Sequence, residues 1–126
     1  MKEKMKSGIY GYLIGDAVGV PYEFCTSEKL KRLEKIDMIP PKKFNRSHKE
    51  VKPGTWSDDG AQMLCMLASL MECRSFNLNN LAKKLLAWHE KGYMAVNQKV
   101  FDVGVQTSRS LTEYSKTKNP LTSGLV

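Results

Sequence analysis

The sequence has few cysteines and no pattern that would pair them. Its three cysteines, Cys25, Cys65 and Cys73, include no C-x-x-C pair, and an odd number argues against a disulfide framework. Cys65 and Cys73 lie on one predicted helix about 12 Å apart, which is too far for a disulfide. We therefore expect free thiols in a reducing compartment, and the cytoplasm is the predicted location.

Long apolar segments are also lacking. Residues 8–24 contain four glycines together with Asp16 and Glu23, so neither a signal peptide nor a membrane span fits there. The most apolar stretch, residues 61–73, is too short to cross a bilayer. No membrane partner is expected from this sequence.

Aromatic residues are scarce where the positive charge is concentrated. Of the net charge of +7, residues 27–52 carry +5, and Phe44 is the only aromatic residue among them. A surface that stacks nucleic-acid bases is therefore poorly supported, and nucleic acid is not the expected partner. A solvated basic loop is the favoured interpretation, and an anion or phosphate contact is the alternative. A small nucleic-acid binder would instead show strongly salt-dependent DNA binding.

The alternation typical of β-strands is absent, whereas helical spacing recurs. Residues 37–54 hold three of the five prolines and predict a long surface loop. The predicted helices cover residues 7–20, a short segment from Thr26 or Ser27 to about Ile36, residues 57–73, a segment from a cap at Asn77 or Asn79 to Gly92, and residues 103–115. The prediction is an all-α chain forming one domain over residues 1–126.

Two of these helices indicate that a covering partner is needed. In residues 7–20, glycines recur every three or four positions, which is costly in a helix and typical of close approach by another backbone. Residues 61–73 are apolar on nearly every face, so this helix needs cover on all sides. If that cover is missing, the chain exposes an apolar patch, and self-association or a complementing chain is expected.

One stretch combines three oxygen-bearing side chains, Ser57, Asp58 and Asp59, at the start of the predicted buried helix. Hard dications such as Mg²⁺ prefer oxygen ligands. The same residues also suit the first turn of a helix without any metal, since serine caps the helix and carboxylates complement its dipole. Composition alone leaves both interpretations open.

A second stretch places Asp16 in an apolar, glycine-rich face, where an unpaired carboxylate would be costly. Asp16 either belongs to a site or caps a neighbouring helix. Glu23 follows Pro21, so its carboxylate could point into a cleft or lie exposed. The remaining candidates are weaker: His48 and His89 have no partner at metal-binding spacing, and buried Cys65 is expected to be inert.

The order of motifs resembles one family. The pattern G-x-x-x-G-D-A-x-G-x-P-x-E-F at residues 11–24 is followed, after about thirty residues, by Pro53-Gly54-Thr55-Trp56-Ser57-Asp58-Asp59. Asp102, Gly104 and Thr107 then form a D-x-G-x-x-T element. In this order, and over nearly all 126 residues, the chain resembles the ADP-ribosylglycohydrolase family, of the dinitrogenase-reductase-activating glycohydrolase type.

The resemblance implies a multi-helical fold with two metal ions, usually Mg²⁺ and sometimes Mn²⁺. It implies hydrolysis of the bond between ADP-ribose and a protein side chain, or of a related ADP-ribose conjugate. By the same resemblance, Ser57, Asp58 and Asp59 would bind metal, and the catalytic residues would be Glu23, Asp58 and Asp102. Asp102, Gly104 and Thr107 would contact the substrate.

Two departures from the family pattern limit this prediction. The family usually has threonine at the positions of Ser57 and Gly60, so one hydroxyl is kept and one is lost. Family chains are typically more than twice this length, and their second metal-binding group, D-x-D-T, has no counterpart after Asp102. The chain is therefore expected to resemble the N-terminal half of the fold. It is either a glycohydrolase that needs the other half or a non-catalytic module that binds ADP-ribose or another partner.

Overall fold

The computed structural model of the chain describes residues 2–125. Within them lie three short 3₁₀ turns, at Val20–Tyr22, Val96–Gln98 and Ser123–Leu125, and no strand. The α-helices are α1 (Lys2–Gly19), α2 (Ser27–Lys31), α3 (Asp58–Cys73), α4 (Leu78–Lys91) and α5 (Val105–Thr117). The all-α prediction is confirmed, and so is the long segment without helix between α2 and α3.

Local side-chain and backbone chemistry explains where α4 begins and ends, whereas α2 ends earlier than predicted. The side chain of Asn77 accepts from the amide of Asn80 and caps α4, which ends at Gly92 in the left-handed conformation at φ 68°. The prediction for α2 was wrong at its end, because the helix stops at Lys31 rather than at about Ile36. Beyond it, the Tyr22 hydroxyl donates to the carbonyl of Asp37 at 2.8 Å and accepts from its amide at 3.2 Å. The Asp37 backbone is therefore bonded to a side chain rather than continuing a helix.

The chain divides into two compact units at Gly60 and Ala61. The core of the first unit gathers where α1 ends and the long loop returns. Val20, Pro21 and Tyr22 are buried there together with Val51 from the loop. The Tyr22 ring lies 5.1 Å from the ring of Phe44, an aromatic pair of the kind that contributes about 0.5–1.5 kcal/mol beyond its buried area. The loop is therefore packed against the end of α1 through tyrosine contacts.

The second unit is built around α4 and α5, which pack against each other. Trp88 is almost completely buried, and the core also contains Leu81, Ala82, Leu111 and Tyr114. The helix α3 contributes a narrow buried stripe, Ala61, Cys65 and Ser69, at spacings of four residues. The cover that α3 was predicted to need is incomplete in this chain, since Met71 is 72% exposed and Leu70 is 40% exposed.

The helix α1 is even less covered. Ala17 is its only buried side chain, whereas Met5, Tyr10, Tyr12 and Ile14 are exposed by 47–64%. The expected close approach of another backbone is absent within the described residues, because a β-carbon at any of the four glycines of α1 would meet nothing within 4 Å. The surface of α1 is therefore available to a further polypeptide.

None of the helices in residues 2–125 has the length and apolarity needed to span a membrane.

We predict that iodoacetamide at mildly alkaline pH alkylates Cys65 about 100-fold more slowly than Cys25 and Cys73. Burial raises the pKa of the Cys65 thiol to about 11, and its side chain has no exposed surface, whereas the other two thiols are half-buried. Mass spectrometry of timed samples measures the three rates. Equal labelling in denaturant is the control, and equal labelling of the folded chain would contradict the prediction.

We also predict that the purified chain self-associates. Each of the four exposed large side chains of α1 would gain about 1 kcal/mol from being covered. Size-exclusion chromatography with light scattering should therefore give a mass above 14.3 kDa, increasing with concentration. A single sharp peak at the monomer mass over a wide concentration range would refute this expectation.

Candidate functional site

The carboxylate of Asp16 holds the first turn of α3. It accepts hydrogen bonds from the Ser57 amide at 2.9 Å, the Ser57 hydroxyl at 2.8 Å and the Gly60 amide at 2.9 Å. Amides at a helix N-terminus have no partner within the helix, and Asp16 supplies one from outside it. Of the two interpretations of Asp16, capping of a neighbouring helix is therefore confirmed.

The same contact explains why residue 60 is glycine. A β-carbon at this position would lie 2.6 Å from the Asp16 carboxylate and 2.7 Å from the β-carbon of Trp56. Such distances are not tolerated, so the threonine usual in the family could not fit without moving Asp16 or Trp56. Gly60 is thus a requirement of this packing, in addition to the loss of a hydroxyl expected from the sequence.

Three carboxylates create a negative field around Tyr12. The pKa of the Tyr12 hydroxyl is raised first by burial and then by the charges of Asp59, Asp16 and Asp58. The three carboxylates are grouped at the start of α3, because Asp58 and Asp59 occupy its first turn and Asp16 is hydrogen-bonded to Ser57. A cation would be favoured in such a field, because it offsets the mutual repulsion of the carboxylates.

The donor atoms fit part of a magnesium shell. Ser57 is buried, Asp58 is half-buried and Asp59 is exposed, so the group runs from the interior to the surface. The Ser57 hydroxyl donates its proton to Asp16, and its oxygen accepts only a long hydrogen bond, at 3.3 Å, from the Asp59 amide. One hydroxyl and two carboxylates are ligands that a hard dication prefers. Metal binding by Ser57, Asp58 and Asp59 stays a prediction with a chemically suitable donor set.

Glu23 lies in a second cluster of the first unit. Its carboxylate is 2.6 Å from Nε2 of His48, and Nδ1 of His48 is 3.6 Å from Glu50. The Ser47 hydroxyl donates to the backbone carbonyl of Glu23 as well. The pairing of His48 with Glu23 could not be predicted from the sequence. The two residues are 25 positions apart, and no helical or turn spacing links residues at that separation.

Phe24 is held in an unusual conformation next to Glu23. Its φ of 58° lies in the left-handed region, which a bulky residue rarely adopts, and its side chain is 85% exposed. Its ring lies 5.9 Å from that of His48. The exposed Phe24 ring therefore lies beside the pair formed by Glu23 and His48.

The remaining predicted residues belong to the second unit. Asp102 has a left-handed φ of 57° and is half-buried, and Gly104 is the N-cap residue of α5. Thr107 lies in the first turn of α5, half-buried, with its hydroxyl 3.6 Å from where a β-carbon of Gly104 would be. His89 of α4 lies 3.5 Å from the Ser108 hydroxyl and is half-buried. Asp102, Gly104 and Thr107 thus lie at the N-terminal end of α5, and His89 reaches this end from α4.

Comparison with known proteins agrees with the motif order. A sequence model of the ADP-ribosylglycohydrolase family matches residues 1–125. The chain belongs to this family. An ADP-ribosylarginine hydrolase Tri1 of Serratia proteamaculans is 31% identical over 114 residues, which cover 90% of this chain and 29% of that protein. The protein of the same name from Pseudomonas putida is 29% identical over 109 residues, covering 86% and 27%.

The chain therefore spans about 30% of the length of the curated relatives it matches. The prediction of an all-helical ADP-ribosylglycohydrolase fold present only in part is confirmed, although the share is smaller than the expected half.

We predict that Asp16→Asn lowers the free energy of unfolding by about 2 kcal/mol, because an amide cannot accept all three hydrogen bonds of the carboxylate and brings its own N–H groups toward other donors. Urea denaturation followed by circular dichroism measures the loss. Glu34→Gln, which removes one exposed carboxylate from the same unit, is the matched control and should change stability by less than about 0.5 kcal/mol. Equal stabilities of the two variants would show that Asp16 does not hold α3.

Proposed function

We propose that this chain carries one part of a metal-dependent glycohydrolase site, which cleaves the bond between ADP-ribose and a protein side chain. The observation that supports this most is the first turn of α3, where Asp16 holds Ser57, Asp58 and Asp59 in a fixed arrangement. Family membership supports the reaction class. Two of the matched relatives are named ADP-ribosylarginine hydrolase, so arginine-linked ADP-ribose is the first substrate to test.

The proposed cofactor is Mg²⁺ or Mn²⁺, held by Ser57, Asp58 and Asp59. The family resemblance implies two ions, and a second ion would need ligands beyond these three residues. Such an ion, when bound, orients ribose hydroxyls and lowers the pKa of a coordinated water. Asp16 contributes indirectly, because its hydrogen bond from the Ser57 hydroxyl keeps the serine oxygen oriented.

Glu23 is the proposed catalytic carboxylate. Cleavage at the anomeric carbon develops positive charge on the sugar ring, and a nearby carboxylate stabilises that charge and can accept a proton from attacking water. His48, whose Nε2 lies 2.6 Å from one carboxylate oxygen, holds the direction of the Glu23 carboxylate. His48 is thus a positioning residue for Glu23. Asp102, with Gly104 and Thr107, is proposed to contact the ribose or the leaving group.

Completion of the site is proposed to require additional protein. The exposed surface of α1 and the short span relative to the relatives support a complementing chain or self-association. The alternative function, a non-catalytic module that binds ADP-ribose or a partner, is supported by the same short span. The three free thiols support a reducing compartment such as the cytoplasm for either function.

The deciding experiment measures hydrolysis of ADP-ribosyl-arginine and ADP-ribosyl-serine peptides by the purified chain, with and without Mg²⁺ or Mn²⁺. Where self-association completes the site, we expect metal-dependent release of ADP-ribose, faster from arginine, that is lost in Asp58→Asn and retained in Glu34→Gln. A second measurement follows the melting temperature, which 10 mM Mg²⁺ should raise by about 5 °C for a site of about 1 mM affinity. Asp58→Asn should abolish that rise.

The two measurements separate the hypotheses. A metal-dependent rise in melting temperature without hydrolysis would favour a site that awaits a complementing chain. Neither effect, in a chain shown to be folded, would refute the metal-dependent function and leave the non-catalytic module.

A further inference from the structure

The loop between α2 and α3 contains an open cavity of about 520 Å³. Four basic side chains line it: Lys42, Lys43, Arg46 and Lys49. Among the described residues, no carboxylate lines this cavity. Three prolines complete its walls, and because proline fixes φ, the backbone there is restricted before any ligand binds. We call this feature the basic cavity.

Internal hydrogen bonds also hold the basic cavity. The Arg46 guanidinium donates to the carbonyls of His48 at 2.9 Å and Lys49 at 2.8 Å, so this arginine supports the loop. Within residues 2–125, no carboxylate lies within ion-pair distance of Lys42, Lys43 or Lys49. The three lysines therefore carry positive charge that no carboxylate in the described part of the chain pairs with, on a loop held by internal hydrogen bonds. This arrangement favours an anionic ligand.

The basic cavity is joined to Glu23. The Ser47 amide donates to the carbonyl of Pro21 at 2.9 Å, and the Ser47 hydroxyl donates to the carbonyl of Glu23. His48, which lies between Arg46 and Lys49 in the sequence, is 2.6 Å from the Glu23 carboxylate. A ligand in the cavity would thus lie on the same loop that positions the candidate catalytic carboxylate.

The chemistry of the lining favours a peptide over a nucleic acid. Phe44 is the only aromatic residue in the lining, and its ring already contacts Tyr22 at 5.1 Å and the Lys29 ammonium at 4.8 Å. It therefore offers no platform for stacking a base. Flexible lysine side chains accommodate carboxylates in many orientations, as an acidic peptide would present them.

We infer that the basic cavity binds an acidic segment of the modified protein, next to the side chain that carries ADP-ribose. The inference rests on the proposed function for the identity of the partner. The cavity would then select among modified proteins by their local negative charge, while Glu23 acts on the ADP-ribose bond.

The test uses unmodified peptides, so it does not depend on hydrolysis. Two fluorescein-labelled peptides of equal length, one rich in Asp and Glu and one with Asn and Gln in their place, are titrated with the full chain by fluorescence anisotropy. The cavity variant is Lys42→Gln/Lys43→Gln/Lys49→Gln, which keeps Arg46 because Arg46 supports the loop. The control, Lys83→Gln/Lys91→Gln/Lys118→Gln, makes the same charge change in another cavity, of about 490 Å³, beside α4.

We expect the wild-type chain to bind the acidic peptide and not the neutral one, and the cavity variant to bind it about tenfold more weakly. The control variant should bind within a factor of two of wild type. Equal losses in the two variants, or no preference for the acidic peptide, would overturn the inference. Tighter binding of a single-stranded oligonucleotide than of the acidic peptide, lost in the cavity variant, would overturn it as well. If peptide binding behaves as expected but neither hydrolysis nor the metal-dependent rise in melting temperature is observed, only the proposed function fails.

Discussion

The hydrogen bonds between Asp16 and the first turn of α3 are the contact on which the candidate site depends. A half-buried carboxylate is stable there only because three donors, from Ser57 and Gly60, point at it. The arrangement has two consequences. It orients Ser57, Asp58 and Asp59 at the start of α3. It also leaves no space for a side chain at residue 60. A glycine that looks like a lost ligand is therefore required by the packing.

The same arrangement concentrates negative charge. Backbone amides stabilise the charge of Asp16 by donating hydrogen bonds to it. Asp58 and Asp59 add two further carboxylates in one helical turn. The effect reaches Tyr12, whose pKa is raised by burial and by these three carboxylates. In contrast, the loop that carries His48 bears positive charge on Lys42, Lys43 and Lys49. The first unit thus has a negative region suited to a cation and a positive region suited to an anionic substrate.

The helices α1 and α3 are only partly covered by the described chain. Glycines at spacings of three and four on α1 usually accompany a closely packed neighbour, yet nothing in the described chain occupies that face. The helix α3 likewise buries only the stripe through Cys65, although it is apolar nearly all round. Both features accompany a chain that spans about 30% of the length of the curated relatives it matches.

Features that depend only on neighbouring residues could be predicted from the sequence. The cap at Asn77, the stop at Gly92 and the oxygen-rich turn at Ser57 were all predictable, because capping and turn chemistry act over a few residues. The family motifs pointed to Glu23, whose role stays a prediction. Contacts between distant groups became visible only in the folded chain: Asp16 and Ser57 are 41 residues apart, and Glu23 and His48 are 25 apart. Such pairings follow from how the long loop packs on Tyr22, and no local spacing encodes that packing.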